Sequence, residues 1–386
     1  MMAENEKRLG WMKERQRLLQ EQSLHLPFAL SRIEVFDFQG IKHLILEKIP
    51  LNAQWIFLTG ENGFGKTSIL KAIAKGLVGD EDFVESLPRD SHIYVNGYNW
   101  DQPFFYEAQY KKVAENGFQI AAYGASRFLL SSVDQLEDTK NRYNQKTYSL
   151  FYDDGRLKHI ERVLMDTERD DLPTFNRLKE VFLKLIPNLG DIKSELIGKK
   201  RKIRYYEKNN NEVYAPVFLQ DLAAGYRGTL TMIGDMLQRL SEHPNNSLDN
   251  LKGIVLIDEF DAHLHPKYQY ELPKLLSEVF PNVQFIVSTH SPIPILGAKP
   301  DTAVVLTVHR TQEAGITVDR LDDDIEIGRL SANALLTSDI FNFKTIFARG
   351  ATPDTIEPYD DYEEVRVKNR VEKLLELRRN KNNIKH

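Results

Sequence analysis

The stretch that decides the fold is WIFLTGENGFGKTSILKAIAKGL, residues 55–77. Its first five residues are apolar or β-branched, which predicts a strand, and from residue 67 onward apolar side chains recur at helical spacing. The turn between them, residues 60–68, fits the pattern G-x-x-x-x-G-K-[ST]. A strand, a glycine-rich turn and a helix in this order predict a phosphate-binding loop rather than a chance turn.

The composition of this turn gives its residues distinct tasks. Glycines let the backbone wind tightly, so that successive amides point at phosphate oxygens, and the following helix adds its positive end. Lys66 is expected to reach the outer phosphates, and the Thr67 hydroxyl is expected to ligate Mg²⁺. The residues expected to bind ATP are Gly60, Asn62, Gly63, Gly65, Lys66, Thr67 and Ser68.

A second motif, IVLIDE at residues 254–259, consists of four apolar residues followed by two carboxylates. Such a string alone is common by chance, but in combination with the phosphate-binding loop it is specific. At the carboxyl end of a sheet strand, Asp258 is expected to hold the magnesium ion. Glu259 is then expected to polarise the attacking water as the general base.

Two further segments follow this strand. DAHLHP, residues 261–266, has two histidines that could suggest a metal site, but we interpret it as a turn that crosses between subunits. VQFIVSTHSP, residues 283–292, predicts another buried strand that ends near His290. There the imidazole can hydrogen-bond the γ-phosphate and the catalytic water. The alternative for His290 is a core histidine whose hydrogen bonds are satisfied internally.

The patterns along the whole chain predict an α/β fold with a mixed sheet and a small, mostly helical inserted lobe. Uninterrupted apolar runs such as residues 254–257 are typical of parallel strands that are buried on both faces, whereas residues 31–59 alternate. The predicted segments are an N-terminal helical extension (1–30), a lobe with the phosphate-binding loop and antiparallel strands (31–126), the inserted lobe (127–215), the rest of the nucleotide-binding lobe (216–310) and a C-terminal extension that ends in a helix (311–386).

Composition excludes several classes of protein. The 386 residues include no cysteine, so disulfides, thiolate catalysis and cysteine-based zinc sites are ruled out. No apolar run reaches eighteen residues and the charged start lacks the apolar centre of a secretory signal, so we expect a cytoplasmic protein without a membrane partner. The formal net charge of −5 argues against a surface that is widely coated by nucleic acid. The basic run at residues 199–204 is interpreted as a solvated β-ribbon face, and a DNA contact is the alternative.

Five segments carry a family resemblance. They are GENGFGKTS, YGASR (123–127), LAAGYR (222–227), IVLIDEFDAHLHP and QFIVSTHSP. Through them the chain, from about residue 31 to residue 292, resembles the ABC/SMC/RecF-like ATPases and, within that clan, the OLD-related AAA ATPases of bacteria. The resemblance implies an ABC-ATPase head that hydrolyses ATP with Mg²⁺. LAAGYR stands where the clan has its signature motif, which reaches across a dimer to the γ-phosphate of the partner's ATP.

The resemblance also assigns residues to the signature motif and contains two departures. The residues implied to act in trans are Leu222, Gly225, Tyr226 and Arg227. Where the clan usually has a serine at the second signature position this chain has Ala223, so one hydrogen bond is missing, and weaker closure or slower turnover is expected. The clan's magnesium-sensing glutamine has no clear counterpart, because Gln119 falls inside an apparent strand. Ser126 and Arg127 are the candidate substitutes.

For the purpose of the ATPase the resemblance leaves two alternatives. The first is an ATP-gated homodimeric switch that acts as the sensor or the regulator of a partner nuclease or toxin in anti-phage defence. In this it would be similar to ATPases of Septu, retron-linked and PARIS-type modules. It could contact nucleic acid directly or through the partner. The second is a RecF-like DNA-binding ATPase of repair or recombination. Overall acidity and the compact inserted lobe favour the first. A nuclease centre within the chain is not expected, since the acidic runs at 322–324 and 360–361 resemble solvated turns.

Overall fold

The structure is a computed structural model. It describes residues 25–78, 90–99, 102–107, 119–126, 146–153, 157, 159–209, 212–242, 246–321, 335, 336 and 341, all of which belong to one unit of the chain. Several sequence predictions fall outside the described residues, namely the first 24 residues of the N-terminal extension, Arg127, the acidic runs at 322–324 and 360–361, and the terminal helix from residue 362.

Strands and helices alternate around the nucleotide motifs, as the sequence predicts. The strands are β1 (Phe28–Phe38), β2 (Ile41–Leu46), β3 (Trp55–Thr59), β4 (His92–Asn99), β5 (Gln102–Glu107), β6 (Ile120–Tyr123), β7 (Leu189–Ile197), β8 (Lys200–Asn209), β9 (Glu212–Val213), β10 (Lys252–Ile257), β11 (Asn282–Ser288), β12 (Ala303–Thr311) and β13 (Gly315–Arg320). The helices are α1 (Lys66–Val78), α2 (Tyr148–Phe151), α3 (Ile160–Asp170), α4 (Leu172–Leu185), α5 (Ala224–Ser241), α6 (Pro266–Val279) and α7 (Ile293–Gly297). Among the described residues, none of the helices combines the length and the apolar character that crossing a bilayer requires.

Ten strands form one mixed sheet in the order β5-β4-β1-β2-β13-β12-β3-β11-β10-β6. Five neighbouring strands are parallel to one another, namely β12, β3, β11, β10 and β6. The other pairings are antiparallel, namely β12–β13, β13–β2, β2–β1, β1–β4 and β4–β5. β11 lies between β3, which precedes the phosphate-binding loop, and β10, which ends before Asp258. Because parallel strands end at the same edge of a sheet, the loop, the carboxylates and His290 meet there.

Side chains of the parallel strands alternate between two hydrophobic cores, one on each face of the sheet. In β3, Phe57 belongs to the core that contains α5, whereas Ile56 and Leu58 belong to the core that contains α1. All three side chains are buried, as a central strand with two covered faces requires. α1 follows the phosphate-binding loop and α5 carries the LAAGYR segment. These two helices therefore cover opposite faces of one sheet.

The described part of the inserted lobe contains helices and also a sheet of its own, which the expectation of a mostly helical lobe did not include. α3 and α4 are its longest described helices, and β7, β8 and β9 form an antiparallel sheet that includes residues 200–204 of the basic run. α3 and α4 share the core that contains α5. A Cβ on Gly234 of α5 would lie 2.6 Å from Ile160 Cδ1, so the absence of a side chain there lets α3 approach α5 closely.

Candidate nucleotide-binding site

The loop between β3 and α1 winds through three glycines with positive φ, namely Gly60 (130°), Gly63 (79°) and Gly65 (101°). The β12–β13 hairpin packs against two of them. A Cβ on Gly60 would lie 2.5 Å from the Val308 carbonyl oxygen, and one on Gly65 would lie 2.2 Å from Ile316 Cδ1. Both the backbone conformation and the lack of space therefore require glycine at these two positions.

The Lys66 side chain bends back over this loop. Its Nζ donates to the carbonyl oxygens of Gly60 at 2.8 Å and Glu61 at 2.9 Å, and His290 Nδ1 lies 3.5 Å away. Burial lowers the pKa of Lys66, an effect that the Asp258 carboxylate opposes. Since a charged acceptor binds an ammonium group more strongly than a neutral carbonyl does, a phosphate oxygen can replace these partners.

Asp258 connects the phosphate-binding loop to two neighbouring strand ends. Its Oδ2 accepts a hydrogen bond from Thr67 Oγ1 at 2.7 Å, and its Oδ1 accepts one from Ser288 Oγ at 2.5 Å. Its backbone N–H donates to the Tyr123 carbonyl oxygen at the end of β6, at 2.8 Å. Thr67 and Asp258, the two residues predicted to hold magnesium, are thus in direct contact. The sequence prediction missed Ser288, although it is the first polar residue after the apolar run of β11.

Glu259 is exposed at the rim of the same site and has a φ of 49°. Its backbone N–H donates to Ser288 Oγ at 2.8 Å, so the hydroxyl of Ser288 contacts both acidic residues. Non-glycine residues in the left-handed region are uncommon, and such conformations concentrate at functional sites. The turn places the Glu259 carboxylate on the lining of a cavity instead of continuing the direction of β10.

His290 follows β11 and lines the cavity rather than the core. Its backbone N–H donates to Asp261 Oδ1 at 3.1 Å, and the same oxygen accepts from Thr289 Oγ1 at 2.6 Å. Burial, and after it the Lys66 ammonium, lower the pKa of His290. The imidazole is therefore kept neutral, with Nδ1 as an acceptor toward Lys66.

A cavity of about 400 Å³ gathers most of the predicted residues. Its lining consists of Gln39, Asn62, Gly63, Gly65, Lys66, Thr67, Ser68, Asp258, Glu259, His290, Arg310 and Ile316. A second cavity of about 630 Å³ shares Gln39 and Arg310 with the first and lies between the β1–β2 and β12–β13 turns. Arg310 Nη1 donates to the Gly63 carbonyl oxygen at 3.0 Å. Sequence reasoning missed Gln39, Arg310 and Ile316, for which no local motif gives a signal.

The signature-like segment forms the start of α5. Ala223 is the N-cap residue and makes no side-chain capping hydrogen bond, and both it and Ala224 are exposed. A Cβ on Gly225 would lie 2.5 Å from the His263 carbonyl oxygen, so this glycine packs on the turn after β10. Tyr226 packs edge-on against Tyr268 with ring centroids 5.5 Å apart.

Residues 222–227 are absent from the lining of the 400 Å³ cavity. Leu222 is buried, and Arg227 Nη1 donates to the Gln220 carbonyl oxygen at 2.7 Å. The structure thus brings the loop, Asp258, Glu259 and His290 together within one chain. It does not bring the signature-like segment to them.

The oxygen atoms at the loop fit a magnesium ion. Mg²⁺ prefers hard oxygen ligands, and the Thr67 hydroxyl and Asp258 carboxylate supply two that already lie side by side. The two histidines after the carboxylates serve the turn instead. His265 Nδ1 accepts from the Lys267 N–H at 3.3 Å at the start of α6, and His263 has a φ of 62°. Within the described part of the chain, no group of three or more histidine or acidic side chains is arranged to hold a metal on its own.

The structure separates the candidates for the magnesium-sensing position. Gln119 is buried at the beginning of β6, where its carbonyl oxygen accepts from the Ile254 N–H at 2.8 Å. That end of the strand is opposite to the edge that carries Asp258. Ser126 follows β6 beyond Tyr123 and therefore leaves the sheet at the correct edge.

The chain resembles known proteins over different parts of its length. The family model described as "AAA domain, putative AbiEii toxin, Type IV TA system" matches residues 230–293. The chain is similar to "Septu protein PtuA" of Bacillus mycoides (strain KBAB4), with 28% identity over 86% of this chain and 47% of that protein. It is also similar to "Retron Ec83 probable ATPase" of Escherichia coli, with 30% identity over 40% of this chain and 28% of that protein.

A third relative is "Retron Vc95 probable ATPase" of Vibrio cholerae serotype O1 biovar El Tor, with 41% identity over 22% of this chain and 16% of that protein. The chain spans about half or less of the length of these three relatives. The matches confirm the resemblance to AAA ATPases related to Septu and retron proteins that the sequence motifs indicate.

Proposed function

We propose that this chain, an ABC-type ATPase of the Septu and retron group, binds ATP with Mg²⁺ and hydrolyses it. The observation that carries the proposal is the 2.7 Å hydrogen bond between Thr67 and Asp258. It joins the hydroxyl that ends the phosphate-binding motif to the carboxylate that ends a strand 191 residues later. This pairing is the one that P-loop ATPases use to hold Mg²⁺ against the outer phosphates.

Each side chain around the cavity has a task in this reaction. Lys66 exchanges its two carbonyl partners for phosphate oxygens and offsets their negative charge. Glu259 accepts a proton from the attacking water, and neutral His290 hydrogen-bonds the γ-phosphate. A magnesium ion held by Thr67 and Asp258 would supply electrostatic stabilisation of the charge that develops on the phosphates. The second cavity, which shares Gln39 and Arg310, has room for the nucleoside half of ATP.

We further propose that the site is completed in a homodimer. The phosphate-binding helix α1 and the signature helix α5 belong to cores on opposite faces of the sheet, which supports a cap that comes from a second copy. In such a dimer residues 222–227 of one chain contact the γ-phosphate held by the other. Because ATP can shift the monomer–dimer equilibrium only by its extra affinity for the dimer, the γ-phosphate contacts determine how strong the switch is.

The role that fits this switch is regulation of a nuclease or toxin effector in anti-phage defence. The relatives with matching sequence are named as a Septu protein and as probable ATPases of two retrons. A switch that changes its assembly state with ATP can hold an effector in one state and release it in the other. The lobe between β6 and α5, which packs on the signature helix, offers a surface that would follow this change.

The test is Glu259→Gln. This variant should bind ATP, turn it over at least about a hundredfold more slowly, since a lost general base typically costs 10²–10⁴-fold, and accumulate as an ATP-bound dimer. Glu278→Gln, an identical change at an exposed position of α6, serves as the control and should retain wild-type turnover. The measurements are phosphate release and light scattering after size exclusion, with ATP and with ADP. Wild-type turnover by Glu259→Gln, or a monomer in saturating ATP, would refute the proposal.

To test the regulatory role, the purified chain is mixed with candidate effectors encoded beside it, with and without ATP. ATP-dependent association, or ATP-dependent control of the effector's activity, is expected. ATP-dependent binding of duplex DNA by the chain alone, without any effect on an effector, would support a RecF-like DNA-binding ATPase instead.

A further inference from the structure

Three polar side chains are buried together between β6 and the signature helix α5. Tyr123 and Asp235 are fully buried and Arg239 is 3% exposed. The Tyr123 hydroxyl donates to Asp235 Oδ2 at 2.9 Å, and Arg239 Nε donates to the same oxygen at 2.5 Å. Burial raises the pKa of Tyr123 well above its usual range, so the hydroxyl stays protonated and remains a donor.

Tyr123 of this cluster also contacts Asp258, the residue proposed to hold magnesium. The carbonyl oxygen of Tyr123 accepts the backbone N–H of Asp258 at 2.8 Å, while the Tyr123 side chain bonds to Asp235. A single residue thus contacts both the end of β10 and the helix that carries the signature segment. Asp235 lies eleven residues after the first residue of α5, Ala224, which is about 16 Å along a helix. If α5 tilts by a small angle about Asp235, the signature segment at its start is therefore displaced further than the residues near Asp235.

We propose that Tyr123, Asp235 and Arg239 are positioning residues that couple each chain's own nucleotide site to its signature segment, and so couple the two sites of the dimer. The inference rests on the proposed function. ATP bound at Lys66 and Asp258 of one chain adjusts the backbone at Tyr123, and Asp235 passes the change to α5. The start of α5 in turn contacts the ATP of the partner, so occupation of one site changes the affinity of the other.

The energetics of the cluster favour coupling over simple stabilisation. A buried ion pair loses much hydration energy, and well-packed apolar residues of similar volume often serve stability equally well or better. The neighbouring side chains of α5, such as Ile233, Met236 and Leu237, are apolar and buried. A hydrogen bond restricts the direction of a contact as well as its length, and this directionality suits the transmission of a small shift.

The test is Tyr123→Phe, which removes one hydroxyl and leaves the Asp235–Arg239 pair in place. Tyr205→Phe is the matched control. It is also a fully buried tyrosine, but it lies in β8, and its hydroxyl has no hydrogen-bond partner among the described residues. Steady-state hydrolysis is measured against ATP concentration, together with the ATP affinity of the monomer and the melting temperature.

We expect wild type and Tyr205→Phe to show a Hill coefficient above 1. Tyr123→Phe should show a Hill coefficient of about 1, because ATP at one site no longer changes the affinity of the other site. Its monomer should bind ATP as wild type does. A purely structural role would lower the melting temperature without changing the Hill coefficient. Unchanged cooperativity in Tyr123→Phe, or an equal loss in Tyr205→Phe, would overturn the inference while leaving the proposed function intact.

A second measurement needs no variant. Wild-type chain is kept below the concentration at which ATP causes dimerisation, and amide hydrogen exchange is compared with and without ATP and Mg²⁺. Slower exchange in residues 229–240 of α5 is expected, although these residues do not line the cavity. Unchanged exchange in α5, together with protection of the phosphate-binding loop, would also overturn the inference. A wild-type chain that neither hydrolyses ATP nor dimerises would overturn the proposed function and this inference with it.

Discussion

Replacing Ala223 of the signature segment by serine should raise two separate quantities, the stability of the folded chain and the affinity of the ATP-bound dimer. Ala223 has extended backbone angles (φ −51°, ψ 139°) and is the N-cap of α5, and its carbonyl oxygen already accepts the Arg227 N–H at 2.9 Å. A serine hydroxyl at this position can accept a first-turn amide proton, which an alanine cannot. Ala223→Ser should therefore raise the free energy of unfolding by about 1 kcal/mol. For a chain of this size that corresponds to an increase of about 2 °C in melting temperature without nucleotide.

The second effect concerns the dimer. The same hydroxyl retains its own proton and can donate it to the γ-phosphate of the partner's ATP. A hydrogen bond to a charged group contributes roughly 1.5 kcal/mol or more, and the symmetric dimer has two such sites. The dissociation constant of the ATP-bound dimer should therefore fall by about 100-fold.

Sedimentation equilibrium with ATP, in the Glu259→Gln background to prevent turnover, measures this dissociation constant. Ala224→Ser is the control, because residue 224 is also exposed but lies inside the helix, where a serine does not cap it. A higher melting temperature in Ala223→Ser with an unchanged dimer would show that the start of α5 does not contact the partner's phosphate. That result would refute the trans arrangement.

Two further outcomes follow from the geometry of the loop. Gly65→Ala should weaken ATP binding by more than tenfold. The φ of 101° at this position strains any other residue by about 1–3 kcal/mol, and the added Cβ would displace Ile316. Isothermal titration measures the loss of affinity, and wild-type affinity would contradict the prediction. ATP turnover should fall as pH decreases below the usual histidine range. Burial and Lys66 lower the pKa of His290, and protonation of His290 would place two cations side by side. The rate–pH profile of His290→Gln should lack this decrease at acidic pH. The stability of the folded chain should depend on pH in the same direction as turnover. The unfolded chain binds the His290 proton more readily than the folded chain, so folding is weakened as pH falls through that range and is restored above it.

The sequence was sufficient to place the parallel part of the sheet and the side chains at its edge. Each strand there is a short apolar run that ends in a polar motif, and α1 was predicted at residues 67–77 against the observed Lys66–Val78. The contact between Thr67 and Asp258 follows because parallel strands share one edge. Local patterns predict these features because the chemistry lies in the same few residues as the turn that positions it.

The features that the sequence did not give depend on contacts between distant segments. Arg310 bonds to Gly63 across 247 positions, and nothing in the composition of β12 indicates that partner. Gly315, which has a φ of 74°, begins β13, and no pattern in the sequence indicated that β13 packs on the loop. Tyr123 and Asp235 likewise lie 112 positions apart, and each alone reads as an ordinary member of its strand or helix.

The placement of α5 connects the signature-like segment to the inserted lobe. α5 shares a core with α3 and α4 of the lobe, and the Tyr268 hydroxyl of α6 donates to the Leu185 carbonyl oxygen at the end of α4, at 2.9 Å. Tyr226, in the signature segment, packs against that same Tyr268 ring. Since close-packed interiors transmit displacement rather than absorb it, a movement of the signature segment must be accommodated in the lobe. α1 belongs to the other core, so in the proposed switch a bound nucleotide and the lobe would be coupled through the sheet edge at Tyr123 and Asp258.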